Sequence, residues 1–516
     1  MKTYMVRLFS FLIVMLIPFP FVSHAQQALS EKATIQAGYG TVTIGDTQWQ
    51  RFSFRPDIPM GRFGVGLDLE LFLDDTGKIS KEGWIFSNRN QSIDTILRKI
   101  YYVRYGKPQD TSYLRVGALD NVSMGYGLIM NNYCNTLNYP GDKKLGVVFG
   151  LENVGTFGLG IQGMVNSLGD LKNKGALVGG RVSAKPFKES SIPLFDRLTF
   201  GVTFVRDVNQ FAGLKDSDND GYPDFEDGFP DNSRLWLDTD HDGLTDYTHA
   251  APGDTAFVDP DADGDNLTDY WYKDGTNSGF DHAIKRAELI NVKNNRNGIS
   301  VYGFDAGVPL IESPIRLDLY GQYAKIHSGG WGIAIPGFQV TSGGFQGRIE
   351  YRHFAGRFRP NYFDNLYENE RVALIDGRIY TKFMTLPDMT LNGVYGLVQY
   401  RLFNFASAQA TYQNMSGEER FQDLTGKAEI LEGILSHVPK ISIAEAYFYN
   451  TYVDGGKKLT DITANTLFGT KIGIGISPSI SIVWNTRYTF TPKDPTGATG
   501  YIRHRFVSIE TVMLMR

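Results

Sequence analysis

Apolar and polar side chains alternate with a two-residue period through segments of about 8 to 16 residues, repeated along most of the chain, and no other feature restricts the fold so tightly. In 64–73, Val65, Leu67, Leu69, Leu71 and Leu73 share one face while Asp68 and Glu70 fall on the other. In 316–323, Leu317, Leu319 and Tyr323 oppose Arg316, Asp318, Tyr320 and Gln322. The segments 345–352 (Phe345, Ile349 and Tyr351 against Gln346, Arg348, Glu350 and Arg352) and 480–490 (Ile480, Ile482, Trp484, Tyr488 and Phe490 against Ser481, Asn485, Arg487 and Thr489) repeat the pattern. Each is a strand with one oily and one charged face. Beyond residue 25 no apolar stretch reaches the roughly 20 residues a spanning helix needs, which excludes a helical membrane protein.

Strands of this kind also build soluble sandwiches, so the connections decide. Short links at 56–61, 108–111, 152–155, 403–405, 436–440 and 477–479 alternate with long ones near 74–97, 120–143, 212–297, 359–388, 452–465 and 492–500. Tight turns at one rim and extended loops at the other are the pattern of an outer-membrane barrel. The N-terminus agrees: Lys2 and Arg7 precede the apolar run Leu8 to Val22, and Ser23-His24-Ala25 supplies the small residues of a signal-peptide cut, placing a mature start at Gln26. The expected fold is therefore all-β, a closed antiparallel transmembrane β-barrel of roughly 16 to 20 strands. Twenty candidate strands run from 33–44 to 501–515, the Gly- and Pro-interrupted 331–341 being the weakest. The organisation is 1–25 signal peptide, 26–211 first half of the barrel, 212–297 an extracellular insertion, and 298–516 the second half.

A ring of that size cannot be filled by its own side chains and encloses a water-filled or plugged lumen. Asp68, Glu70, Arg115, Arg316, Asp318, Arg348, Glu350, Arg352 and Arg487 are the candidates for its lining, either as cross-strand ion pairs that stiffen the wall or as a solute-selecting constriction. An Arg on the lipid face near the midplane would cost about 2–4 kcal/mol. The Gly-rich stretch Met124 to Tyr133 reads as a loop folded inward. Outer-membrane barrels usually end on an aromatic residue, whereas this chain ends Val512-Met513-Leu514-Met515-Arg516, a departure from proteobacterial porins.

Composition closes off other classes. Cys134 is the only cysteine, so disulfide frameworks and Cys-based zinc clusters are out, and a net charge of −5 gives no bulk positive field for nucleic acid. No Gly-x-Ser-x-Gly elbow or His-Glu-x-x-His pair appears, and the expectation is no enzymatic activity.

Acidity concentrates in one place. From 213 to 282 nineteen acidic residues face three basic ones, a local net charge of −16 that leaves +11 on the rest of the chain. The run is a phased repeat: Asp216, Asp218, Asp220, Gly221 and Asp224 recur as Asp238, Asp240, Asp242, Gly243 and Asp246, and again as Asp261, Asp263, Asp265, Asn266 and Asp269. Three carboxylates at alternate positions before a sharp turn suit a hard divalent ion with six to eight oxygen ligands, calcium before magnesium or zinc. The carbonyls of Tyr222, Leu244 and Leu267 are the implied seventh-position donors, and Asp227 is a twelfth-position carboxylate found only in the first copy.

Over 216–270 the chain resembles the calcium-binding thrombospondin type 3 repeats, which also occur as linkers in proteins of the outer-membrane protein A family. The cysteines that join metazoan repeats are missing, and the twelfth position holds His249 and Tyr272 in the second and third copies. The whole resembles a porin-like bacterial outer-membrane barrel carrying this array. The expected function is a channel for small polar solutes with a calcium-binding extracellular loop. The alternative is a surface adhesion or assembly protein whose barrel anchors the array toward a surface partner.

Overall fold

The computed structural model describes residues 34–515 except 45–46, 75–76, 80–94, 97–98, 109, 138–143, 219, 231, 234, 237, 239–242, 244–290, 376–377, 403–405, 431–440, 455, 478–479 and 494–498. The expected signal peptide and, apart from Asp238 and Gly243, the second and third repeats lie outside the described residues, and with them Asp240, Asp242, Leu244, Asp246, Asp261, Asp263, Asp265, Leu267 and Asp269.

The wall is built from β1 (Thr34–Ile44), β2 (Thr47–Met60), β3 (Phe63–Leu67), β4 (Leu69–Leu73), β5 (Ile100–Tyr105), β6 (Ser112–Gly117), β7 (Gly146–Val154), β8 (Leu159–Val165), β9 (Leu177–Ala184) and β10 (Thr199–Asp207). It continues through β11 (Ile299–Ile311), β12 (Arg316–Ile326), β13 (Trp331–Ser342), β14 (Phe345–Ala355), and, after a separate hairpin of β15 (Val372–Ile375) and β16 (Arg378–Thr381), β17 (Leu391–Leu402) and β18 (Ala406–Gly417). The last strands are β19 (Arg420–Ile430), β20 (Ile441–Asp454), β21 (Thr466–Ser477), β22 (Ile480–Pro492) and β23 (Tyr501–Met515). β3 and β4 are two halves of one strand broken at Asp68, so the wall has twenty strands, each antiparallel to its sequence neighbours.

Closure comes from β1 pairing with β23, from Ile35↔Met515 to Thr43↔Val507. That seam joins the first strand to the last and closes the ring, so neither of them is a free sheet edge. The weakest expected strand, 331–341, is the regular strand β13, with a register shift between Ala334 and Gly337 around its proline. Several boundaries move by up to four residues: the strands expected over 155–167 and 195–210 begin at Leu159 and Thr199, that over 47–56 runs on to Met60, and that over 424–436 begins at Arg420, because Phe421 and Gln422 still pair with β20.

Alternation sorts the two faces. In β2, Phe52 and Phe54 are about 40% exposed (43% and 40%), while Arg51 and Ser53 between them are 4% and 6% exposed. The pattern recurs in β14, where Ile349 and Tyr351 face out and Glu350 and Arg352 are buried. Apolar side chains therefore coat the outside, and the register carries the charged set around a single inner face.

Connections also sort by rim. Those at 74–99, 118–145, 208–298 and 356–390 all lie at one rim, with the shorter 45–46, 166–176, 327–330, 418–419, 455–465 and 493–500. The opposite rim holds 61–62, 106–111, 155–158, 185–198, 312–315, 343–344, 403–405, 431–440 and 478–479, and there β1 begins and β23 ends. Aromatic side chains collect near both rims: Phe304, Tyr323, Trp331 and His353 in a row at the long-loop rim, and Phe63 against Tyr105 and Phe187 against Phe195 at the other. Such paired belts fit two membrane–water interfaces.

The outward face gives the first prediction. Ile474→Arg, on the outer face of β21, is expected to destabilise the barrel by about 2–4 kcal/mol in urea unfolding from lipid vesicles, whereas Gln409→Lys on the inner face should cost less than about 1 kcal/mol.

Candidate functional site

Two of the long-rim connections turn inward and pack together. Leu119, Val122, Met124, Leu128, Ile129, Met130 and Tyr133 of the first (118–137) join Phe358, Tyr362, Phe363, Tyr367, Leu386 and Met389 of the second (356–390) in one apolar cluster. The cluster also takes in Val148, Met164, Val205, Val301, Ala324, Phe354 and Met415 from strands β7 to β18. Backbone bonds tie the loops to each other: Asn361 N–H donates to Leu128 O (2.8 Å), Asn131 N–H to Phe363 O (3.1 Å) and Phe363 N–H to Ile129 O (3.2 Å). Burial of this much apolar surface makes a folded plug rather than a pair of loose loops. The inward reading of 124–133 holds; the share taken by 356–390 was not visible in the sequence, where aromatic and charged residues alternate without a period.

Buried charges latch the plug to the wall. Arg371, fully buried, pairs with Asp207 of β10 (2.6 Å), and its guanidinium also donates to the carbonyls of Gly175 and Asn209 (the latter 2.9 Å). Tyr367 Oη donates to the same Asp207 carboxylate (2.7 Å). Glu368 accepts from Lys144 Nζ (2.6 Å), from Asn166 Nδ2 (3.2 Å) and from Tyr133 Oη. Lys382 and Arg359 close on Glu370 (2.6 and 3.3 Å).

All nine lining candidates stand on the inner face, and none is left to be solvated only by ions and water. Asp68 and Glu70 accept from Arg55 (2.8 and 2.9 Å), and Arg51 bridges Glu70 to Glu510 of β23. Arg316 pairs with Asp318 (2.9 Å) and Arg352 with Glu350 (2.6 Å), which also accepts from Tyr320 Oη (2.6 Å). The remaining three clasp the first plug loop: Arg115 donates to Ala118 O (2.7 Å) and pairs with Asp120 (3.1 Å), Arg348 donates to Tyr126 O (2.6 Å), and Arg487 donates to Leu137 O. Tyr126 lies flat on Tyr320, with ring centroids 3.9 Å apart, over Gly307, where any larger side chain would meet its ring.

Opposite the plug core, strands β19 to β5 carry a band of charge whose Lys427, Glu429, Glu445 and Lys471 were not among the lining candidates. Lys427 reaches Glu429 (3.0 Å) and Glu445 (3.5 Å), Lys471 stands beside Glu445 in register, and the largely buried Arg51–Glu70–Arg55–Asp68 group continues the band. Access to water is confined to part of it: Lys427 is 40% exposed, Glu429 29% and Glu445 27%, against 2% and 0% for Arg352 and Glu350. The signal was present in 441–454, where Glu445, Tyr447 and Tyr449 alternate with Ala444, Ala446 and Phe448.

The first Asp-rich repeat is folded into a compact acidic loop. Asp216, Asp218 and Asp220 place carboxylate oxygens within 4.8 Å of one another. Gly221 takes φ +109°, a left-handed backbone closed to most side chains, and its N–H donates to Asp216 Oδ2 (3.0 Å). The second copy repeats both features, Gly243 having φ +89° and donating to Asp238 Oδ2 (3.1 Å). Asp227 is 7% exposed, and its Oδ2, like those of Asp218 and Asp220, meets no hydrogen-bond donor among the described residues. Desolvation and the neighbouring carboxylates push Asp218 up to about 6 and Asp227 up to about 7. Asp224 is also desolvated but sits below its ordinary value because Lys215 (2.8 Å) and Ser217 bond to it. Buried carboxylate oxygens without donors, gathered beside a tight turn, fit a divalent cation. The loop is tied to the plug: Val292 N–H donates to Gly221 O (2.8 Å), Asn209 Nδ2 to Val292 O (2.6 Å), and Arg371 to Asn209 O.

No family model matches the chain, and no curated protein matches it. Among solved structures it is similar to Wzi of Escherichia coli, described as an outer membrane protein involved in group 1 capsule assembly and a carbohydrate-binding β-barrel, at 10% identity over 95% of this chain and 85% of that one, with a TM-score of 0.29. OccK5 (OpdH) of Pseudomonas aeruginosa matches at 9% identity over 94% and 97% with a TM-score of 0.31, and the FrpB iron transporter of Neisseria meningitidis at 8% over 96% and 84% with 0.32. At such scores the fold assignment rests on this chain's own register: it is a plugged, closed antiparallel β-barrel.

Arg371→Met leaves the Asp207 carboxylate buried without its cation and is expected to destabilise the plug by about 3–5 kcal/mol, while Arg371→Met with Asp207→Leu should recover part of that loss. Limited proteolysis within 356–390 is the measurement.

Proposed function

We propose that the protein is an outer-membrane channel for small polar solutes, with its long loops outside the cell and its lumen narrowed by the plug to a lane along β19–β5. One observation carries this reading: the pairs Glu350–Arg352 and Asp207–Arg371 beside the plug core are dry, whereas Lys427, Glu429 and Glu445 across from it keep their access to water. Opposite charges in mutual contact along the lane leave no large field of one sign, which favours solutes with their own dipoles or balanced charges over simple ions. The apolar outer face and paired aromatic belts support a bilayer setting, and the terminal strands at the short-turn rim support a periplasmic location for that rim.

Planar-bilayer conductance tests the channel. Wild-type protein should show small, stable steps. Glu429→Gln with Glu445→Gln should shift selectivity toward anions, and Gly307→Val, which expels Tyr126 from its seat, should raise conductance several-fold. If both wild type and a folded Gly307→Val protein are silent, the channel reading fails and the barrel is an anchor for the outward loop.

The same reading assigns calcium to the first repeat, held by Asp216, Asp218, Asp220, Asp227 and the Tyr222 carbonyl, with Asp224 completing the loop through Lys215 and Ser217. Calcium would neutralise the crowded carboxylates. Because the folded values of Asp218 and Asp227 lie above the unfolded carboxylate range, the calcium-free loop takes up protons on folding, and its stability falls as pH rises through about 4 to 7. Calcium needs the deprotonated forms, so its affinity should fall as pH drops from 7.5 to 5.5, with protons released on binding. Titration calorimetry in two buffers of different ionisation enthalpy checks both; a pH-independent affinity would refute the assignment.

A further inference from the structure

Outward cations are costly on a lipid-facing wall, and β23 carries two of them. Its outward positions run Met513, Thr511, Ile509, Val507, Arg505 and Arg503 from the short-turn rim upward, in register with Ile482, Trp484, Thr486, Tyr488 and Phe490 of β22. Ile509, Met513 and Trp484 are exposed apolar side chains, as a lipid face requires. Ten residues separate Met513 from Arg503, about 33 Å along the strand and roughly 25 Å of height at a 40° tilt, the thickness of a barrel's apolar band. With Met513 near the lower edge of that band, the two arginines stand toward the upper one, where an outward Arg is far less costly than at the midplane.

Both guanidiniums converge on one ring. Arg503 lies 5.6 Å and Arg505 5.9 Å from the centroid of Tyr488, which itself packs at a tilt against Phe468 (4.9 Å). Cation–π contact steadies both forks. Neither arginine makes an ion pair among the described residues, and Lys493, also exposed, adds positive charge at the head of the hairpin. Two guanidiniums held against one ring, at the boundary between an apolar wall and water, offer donors to an anion, and the planar fork matches phosphate in bidentate fashion.

We infer that Arg503 and Arg505, backed by Tyr488, bind the phosphate group of a phosphorylated glycolipid in the outer leaflet, with the acyl chains lying on the apolar face of β21–β23. This rests on the proposed orientation of the barrel, with long loops outside. Detergent-solubilised full-length protein is incubated with a phosphorylated lipid A, the same lipid stripped of phosphate, or inorganic phosphate, and bound lipid is read by native mass spectrometry. Phosphorylated lipid A should bind at least about tenfold more tightly than the stripped lipid. Arg503→Gln with Arg505→Gln should abolish that difference. Arg62→Gln, at the opposite rim where Arg62 stacks on Tyr105 (4.8 Å), should keep it. Equal binding of the stripped lipid, an unaffected double variant, or saturation by inorganic phosphate with no preference for the lipid would each overturn the inference. Conductance of the double variant separates the two claims: a conducting protein without lipid preference leaves the channel reading standing, and a silent wild type removes that reading whatever the lipid result.

Discussion

Backbone hydrogen bonding around a closed ring is the constraint on which everything else in this protein depends. A strand in contact with hydrocarbon has no water to satisfy its N–H and C=O groups, so a sheet there must end where it begins. The β1–β23 seam meets that condition, and it does so with the start of β1 and the end of β23 at the same rim, as an even number of strands demands. Once the ring is closed, the two-residue period assigns every side chain to the outside or the inside with no intermediate choice. The charged residues of β2, β14 and β22, and Arg316 and Asp318 of β12, are therefore inward as a set.

A twenty-strand ring encloses more volume than its own side chains fill, and this chain fills much of it with loop. The plug is apolar where it meets β7–β18 and is fixed at its margins by buried ion pairs, of which Arg371–Asp207 is the most deeply placed. Buried pairs add little net stability compared with apolar packing, but they penalise any arrangement that leaves one partner alone. Their contribution is best understood as registration: the loops sit in one position against the wall because other positions strand a charge. Across from the plug core, Lys427, Glu429 and Glu445 stay partly wet, in contrast with the dry Glu350–Arg352 pair.

Placement of the acidic repeat at the root of this arrangement gives it leverage. Gly221, Val292, Asn209 and Arg371 form a continuous hydrogen-bonded chain from the Asp-rich loop to the buried latch. A cation held by Asp216, Asp218 and Asp220 would order the same backbone that carries Asn209. The mouth of the barrel and the plug within it are thus mechanically one unit rather than a wall with an independent appendage.

Strand existence, strand number, the sorting of long and short connections, and the inward face of Asp68, Glu70, Arg115, Arg316, Asp318, Arg348, Glu350, Arg352 and Arg487 were all legible in the sequence. They follow from a local period and from local turn chemistry, which neighbouring residues encode by themselves. Gly221 and its three preceding aspartates were legible for the same reason. What only the tertiary structure decided is which of those inward charges meet each other, which meet a loop, and which face water. Arg348 touches Tyr126 and Arg487 touches Leu137 across hundreds of residues of chain, and Arg371 finds Asp207 from a loop with no periodic pattern. Contacts of that kind depend on ring circumference and on the path of two loops through the lumen, quantities set by the closure of all twenty strands together and by no single segment of sequence.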